Sequence, residues 1–170
     1  MKVRRDEKNI LGYYEAEHTK NVRDWKEVFD VAAQEPTFAP ASDHPDDREV
    51  VQWNNQWPEY PPELRKACKD YLQEMEKLER KLMALSLGLP KDRLKGFFEE
   101  QMSVLRLNHY PPCPVPHLAL GVGRHKDSWA LTILAQDDVG GLEVKRKTDG
   151  EWVFVRPTLN ALIINVGDII

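Results

Sequence analysis

The sequence predicts an α+β chain, helical text first and strand text after it, and three features carry that prediction. Apolar residues from Leu64 to Leu85 recur at alternating steps of four and three. After about residue 102 the apolar runs shorten and are separated by Gly, Pro, Asn and Asp turn signals. A hydrophobic content of 41% over 170 residues is enough for one core of ordinary domain size. Short strands following helices point to a sandwich or jelly roll in the second half. The expected organisation is a region of loops and one long amphipathic helix over 1–101 and a sandwich or jelly-roll domain over 102–170.

Residues 1 to about 60 mix charge, aromatics and prolines without sustained periodicity. Trp25, Val28 and Phe29 fit either a short helix or a strand packed on a neighbour. Residues 36–48 are loop-like, and His44 beside Asp43, Asp46 and Asp47 reads as a solvated histidine rather than a metal ligand. Pro61-Pro62-Glu63 is a helix start, with proline and a carboxylate in the first turn. Leu64, Cys68, Tyr71, Met75, Leu78, Leu82 and Leu85 then form the expected apolar stripe. It suits a coiled-coil seam as well as a core-facing helix, and the core is the preferred partner. Gly88 and Pro90 end the helix, and Arg93 to Gln101 predicts a shorter one weakened by Gly96.

Beyond it lie Val104–Leu107, the proline-rich turn Tyr110–Pro114, the strand text Leu131–Leu134, Leu142–Lys145, the Asp149-Gly150 hairpin turn, Trp152–Val155 and Ala161–Ile164. The chain stops in β-branched text at Gly167-Asp168-Ile169-Ile170, which suggests truncation.

Charge excludes some partners. Charged residues are 31% of the chain but the net charge is only −4, so no basic face recommends nucleic acid. No run approaches the roughly 18 apolar residues that span a bilayer, and the charged N-terminus lacks the apolar core of a secretory signal. A cytoplasmic protein with no membrane partner is expected. The two cysteines, Cys68 and Cys113, are expected to be free thiols.

The run Gly123-Arg124-His125-Lys126-Asp127 carries the chemistry. On a strand, residues two apart share a face, so His125 and Asp127 would present an imidazole and a carboxylate together. Those are two corners of the two-histidine, one-carboxylate cage of non-haem Fe(II) oxygenases. A His-any-Asp triplet is also a common feature of solvated loops.

Around it stand Asn108-His109-Tyr110-Pro111-Pro112-Cys113-Pro114, Leu120-Gly121-Val122-Gly123, Gln136 to Val144, Trp152-Val153-Phe154-Val155-Arg156-Pro157 and Asn165-Val166-Gly167-Asp168. With these motifs the chain resembles the plant Fe(II)- and 2-oxoglutarate-dependent dioxygenases, the family of flavonol synthase, anthocyanidin synthase and the gibberellin oxidases. The resemblance implies that the second half is an incomplete double-stranded β-helix, a cupin-like jelly roll. It further implies Fe(II) on His125 and Asp127, and 2-oxoglutarate supported by Asn108 and Tyr110, with ascorbate assisting. O2 and a small plant metabolite would be substrates of a hydroxylation or desaturation that releases succinate, with no catalytic residue beyond the metal ligands.

Without the resemblance, Asn108 reads as a turn residue and Tyr110 as a core aromatic with a satisfied hydroxyl. His109, of opposite strand parity to Tyr110, and His117, after Pro116, read as structural.

Three departures from the family pattern stand out. The second metal histidine, and the arginine and serine that clamp the oxo-acid, are not in the sequence. Trp129 stands where relatives carry a small residue, so an indole would crowd the pocket mouth. The Met83–Ser86 stretch is a few residues short, which would rotate the helix end. The alternative is a non-catalytic module that binds a small molecule or a partner; a metal-free cupin-like storage or sugar-binding module is a third reading.

Overall fold

The computed structural model describes residues 3–42, 46, 48–98 and 101–168. His44, read from the sequence as a solvated loop histidine, lies outside them. Two compact units divide the chain, Met1–His125 and Lys126–Ile170, and each is built around its own strand pairings. Among the described residues no helix is long and apolar enough to cross a membrane.

The expectation of a helical N-terminal part is corrected here: strands come first. The first unit opens with β1 (Gly12–Tyr14), β2 (His18–Thr19), β3 (Val22–Arg23), β4 (Glu27–Ala32), β5 (Thr37–Pro40) and β6 (Val50–Trp53). The aromatic and β-branched residues of Glu27–Ala32 fit a pleated surface buried on both sides better than an amphipathic helix. That is where β4 sits, central in the sheet β1-β4-β7, where β7 is Val104–His109. β4 runs antiparallel to β7 from Glu27 opposite His109 to Ala32 opposite Val104.

Alternation gives this sheet two chemically different faces. On one, Val31, Phe29 and Leu105 pack with Cys68 and Leu72 of the helix α1 (Leu64–Ser86). The sequence stripe is therefore a core stripe, rotated from its expected position. Leu72 is buried while Tyr71 is 37% and Leu85 63% exposed. A seam of alternating threes and fours drifts about 20° per heptad against a straight helix, so its later members turn away from a sheet that α1 meets along Cys68 and Leu72. α1 ends in a Schellman motif: Gly88, at φ +67°, donates to Leu85 O at 3.0 Å and Leu89 donates to Ala84 O at 2.9 Å. Of the shorter helix expected over 93–101, residues 99 and 100 lie outside the described residues, and 93–98 form a turn and a single 3₁₀ turn, Gly96–Phe98.

The opposite face carries charge. Arg106 grips Asp30 with both ends of its fork, at 2.8 and 2.7 Å, and reaches Glu17 at 3.1 Å. Lys26 Nζ lies 3.1 Å from both Glu17 Oε2 and Asp24 Oδ2, and Arg5 lies 3.2 Å from Glu17. Asp24, Lys26 and Asp30 are 3%, 8% and 4% exposed, so every one of these charges needs its partner. Burial pushes the Asp24 carboxyl up, but the Gly123 N–H, the Thr19 hydroxyl and Lys26 outweigh it and hold it below the ordinary aspartate value. Burial raises Glu17 too, and Arg106, Lys26 and Arg5 together bring it below the ordinary glutamate value.

In the second unit, β8 (Leu131–Leu134) pairs antiparallel with β11 (Ile163–Val166), and β9 (Glu143–Lys145) with β10 (Trp152–Phe154). The expected Asp-Gly hairpin is present: Gly150, at φ +76°, closes the turn by donating to Arg146 O at 2.9 Å.

Two outcomes follow from these contacts. Leu72→Ala removes a side chain from a core it shares with Val31 and Cys68, and urea titration is expected to show a loss of about 2–4 kcal/mol. Asp24 and Glu17 have folded pKa values below their unfolded values of about 3.9 and 4.3, so their stabilising contribution is complete above those values and is lost as pH falls through the lower folded ones. The urea midpoint should hold near neutral pH and drop below about pH 4, and the double variant Asp24→Asn, Glu17→Gln should be weaker at pH 7 with a flatter acid limb.

Candidate metal and oxo-acid site

Asn108 stands on β7 opposite Val28, on the sheet face that carries Asp30 and Arg106, and Tyr110 lies one residue past the end of the strand, near the charges of Lys26, Asp24 and Arg106. The Tyr110 ring lies against the backbone of Gly121, where an added Cβ would come within 2.8 Å of the ring. Tyr110 is 50% exposed, and the reading of it as a core aromatic is set aside. Burial raises its phenol above the ordinary tyrosine value, with nearby Lys26 opposing the rise. At neutral pH the hydroxyl keeps its proton, as a phenol does even at its ordinary value, and can donate to an anionic oxygen. His109 turns to the other face, with Nδ1 3.0 Å from Glu27 Oε2, and His117 sits in a 3₁₀ turn, Pro116–Leu118, in keeping with their structural reading.

His125 and Asp127 are not on a strand: the residues from 125 to 128 have no regular structure, so the alternation used in the sequence argument does not orient them. Local hydrogen bonds do so instead. In the first unit the His125 ring places Nδ1 2.9 Å from Gly123 O. A carbonyl only accepts, so in the neutral ring Nδ1 holds the proton and Nε2 the lone pair.

In the second unit Asp127 Oδ2 accepts from Asn165 Nδ2 at 3.2 Å, and its carbonyl accepts from Asp168 N at 3.0 Å. Gly167 N donates to Ala130 O at 3.1 Å, which continues the β8–β11 ladder past Val166 opposite Leu131. Only glycine fits this approach: a Cβ on Gly167 would lie 1.5 Å from the Trp129 carbonyl oxygen. Asn165, Gly167 and Asp168 thus hold the Asp127 segment.

Trp129 acts here through that carbonyl, and its side chain is 49% exposed. Cys68 and Cys113 are free, as expected, with the buried Cys68 thiol raised by desolvation.

The donor chemistry fits Fe(II): an imidazole in the metal-ready tautomer and an oriented carboxylate, each held by a hydrogen bond from outside the ligand set. Among the described residues no group of three His, Cys, Asp or Glu side chains is arranged around one point.

Sequence reasoning missed Asp24, Lys26 and Glu17, and gave Gly123, although it stands in the motif, no role of its own. Asp24 accepts from Gly123 N at 3.0 Å, and Trp25 donates from N to Leu120 O at 2.8 Å and from Nε1 to Pro111 O at 2.9 Å. The signal available was a charged run interrupted by Trp25, which was legible only as half-buried text.

Comparison with known proteins supplies the family. Residues 101–170 match the 2OG-Fe(II) oxygenase superfamily. Gibberellin 20 oxidase 2 of Arabidopsis thaliana is 48% identical over 106 residues, 61% of this chain and 28% of the relative. Jasmonate-induced oxygenase 2 of the same plant is 41% identical over 120 residues, 67% of this chain and 32% of the relative.

The crystal structure of JOX2 in complex with 2OG, Fe and JA superposes with a TM-score of 0.67 at 33% identity, over 93% of this chain and 45% of that one. A 2OG-Fe(II) oxygenase family protein from Caulobacter crescentus gives 0.69 at 29% identity, over 94% of this chain and 51% of that one. The matched stretch spans 28% and 32% of the two curated relatives. The family resemblance is thereby shown: residues 101–170 match the 2OG-Fe(II) oxygenase superfamily, whose metal is Fe(II) and whose co-substrate is 2-oxoglutarate.

Proposed function

We propose that the protein is a 2-oxoglutarate-dependent dioxygenase whose jelly roll, a double-stranded β-helix, is represented here in part. His125 through Nε2 and Asp127 through its carboxylate hold Fe(II), and Asn108 and Tyr110 hold 2-oxoglutarate. When bound, the metal and the oxo-acid supply the activation of O2, with decarboxylation to succinate and hydroxylation or desaturation of the substrate. The observation that carries this reading is the 2.9 Å bond from His125 Nδ1 to Gly123 O, which leaves Nε2 as the donor a divalent metal needs.

The chain's own residues have defined tasks in this reading. Tyr110, which as a phenol keeps its proton at neutral pH, donates to a carboxylate oxygen of the oxo-acid, and the Asn108 amide on β7 offers a second donor. Asn165 orients the Asp127 carboxylate, as a group outside the ligand set does in metal sites generally. The relatives are named for gibberellin and jasmonate, and the JOX2 structure holds JA, which favours a small, largely apolar or phenolic plant metabolite as substrate.

Calorimetric titration of the full chain with Mn(II) in the presence of 2-oxoglutarate should give one-to-one binding, weakened at least about tenfold by His125→Ala or Asp127→Ala. Succinate formation, where present, should require Fe(II) and fail in both variants. Unchanged affinity in both variants would remove the metal assignment, and absence of any one-to-one binding would favour the non-catalytic binding module.

A further inference from the structure

We infer that Asp24 is a positioning residue for the metal-facing imidazole: by anchoring the Gly123 amide it fixes the carbonyl that keeps the proton on His125 Nδ1 and leaves Nε2 unprotonated. The inference rests on the assignment of His125 to the metal.

Every link lies within the first unit. Asp24 is 3% exposed, and its own N–H is held by Glu17 O at 2.9 Å. Oδ2 accepts from the Thr19 hydroxyl at 2.9 Å and faces Lys26 Nζ at 3.1 Å, which leaves Oδ1 for the Gly123 N–H at 3.0 Å. A buried carboxylate with that many donors has one orientation open to it.

Gly123 is pressed onto the same spot, since a Cβ there would lie 2.8 Å from Thr19 Cβ. Its N–H is therefore fixed by Asp24 on one side of Cα while its C=O, on the other side, accepts from His125 Nδ1 at 2.9 Å. Trp25 holds the earlier part of the same segment at Pro111 and Leu120, so the Asp24 contact is the last tertiary anchor described before the histidine. An imidazole left to water favours the Nε2–H tautomer, the form that cannot bind a metal through Nε2. The Asp24–Gly123 contact thus selects a tautomer through one backbone carbonyl.

The test is nitrogen-15 NMR of the imidazole rings in the metal-free full chain, with His125 assigned by its loss in His125→Gln. The wild-type ring is expected with the proton on Nδ1. Asp24→Ala is expected to shift it toward Nε2–H and weaken Mn(II) binding about tenfold or more. Asp24→Asn, which keeps an oxygen for the Gly123 N–H, should restore most of both. Glu17→Gln disturbs the same charged cluster without touching Gly123, and should leave the tautomer in place and the affinity within about twofold.

A proton on Nε2 in the wild-type ring overturns the inference whether or not Asp24→Ala folds. So does a folded Asp24→Ala with the wild-type tautomer and affinity. If His125→Ala binds Mn(II) as well as wild type, the metal assignment falls alone and the tautomer result stands.

Discussion

Antiparallel pairing of β4 with β7 is the constraint on which the first unit depends. It joins segments 76 residues apart, Asp30 to Arg106, so the loop-closure entropy has to be offset by contacts on both sides of the sheet. On one side the offset is apolar, with Val31 fully buried against α1. On the other it is ionic, a forked Arg106–Asp30 pair that brings in Glu17, Lys26 and Arg5. Given that register, Asn108 has no choice of face, and the side chain of Trp25 is delivered to Pro111.

Burying so much charge confers little stability over an apolar core of the same shape, because desolvation offsets much of the Coulomb attraction. What the charges contribute is direction. Each carboxylate in the cluster faces several donors, and a group so constrained can aim a remaining oxygen at a backbone N–H. Asp24 does this at Gly123, and Asn165 does the corresponding work for Asp127 in the second unit. The two protein ligands of the proposed centre are thus each held by a residue distant in sequence, in a stretch with no regular structure of its own.

Much of this was legible in the sequence. The helical spacing of α1, in steps of four and three, and its Gly88 stop were readable because both are local, and the strand runs β8 to β11 could be placed because turn residues bracket them. The early strands were not, because β4 is central and buried on both faces, which erases the alternation that marks a half-buried strand. The pair His125 and Asp127 was recognisable as chemistry, but the reason given for their orientation was not the one found: hydrogen bonds to Gly123 and Asn165 act in place of strand geometry. Asp24 and Lys26 were illegible as site residues because only tertiary pairing across β4 and β7 removes them from water.

Paramagnetic line broadening by Mn(II) tests the central claim most directly, since it reads distance from a bound ion at each residue of the full chain. Substoichiometric Mn(II) should bleach the signals of 123–127 first, with Asn108 and Tyr110 among the next, and the effect should vanish in His125→Ala. Broadening that instead centres on exposed carboxylates elsewhere, or that persists unchanged in His125→Ala, would contradict it.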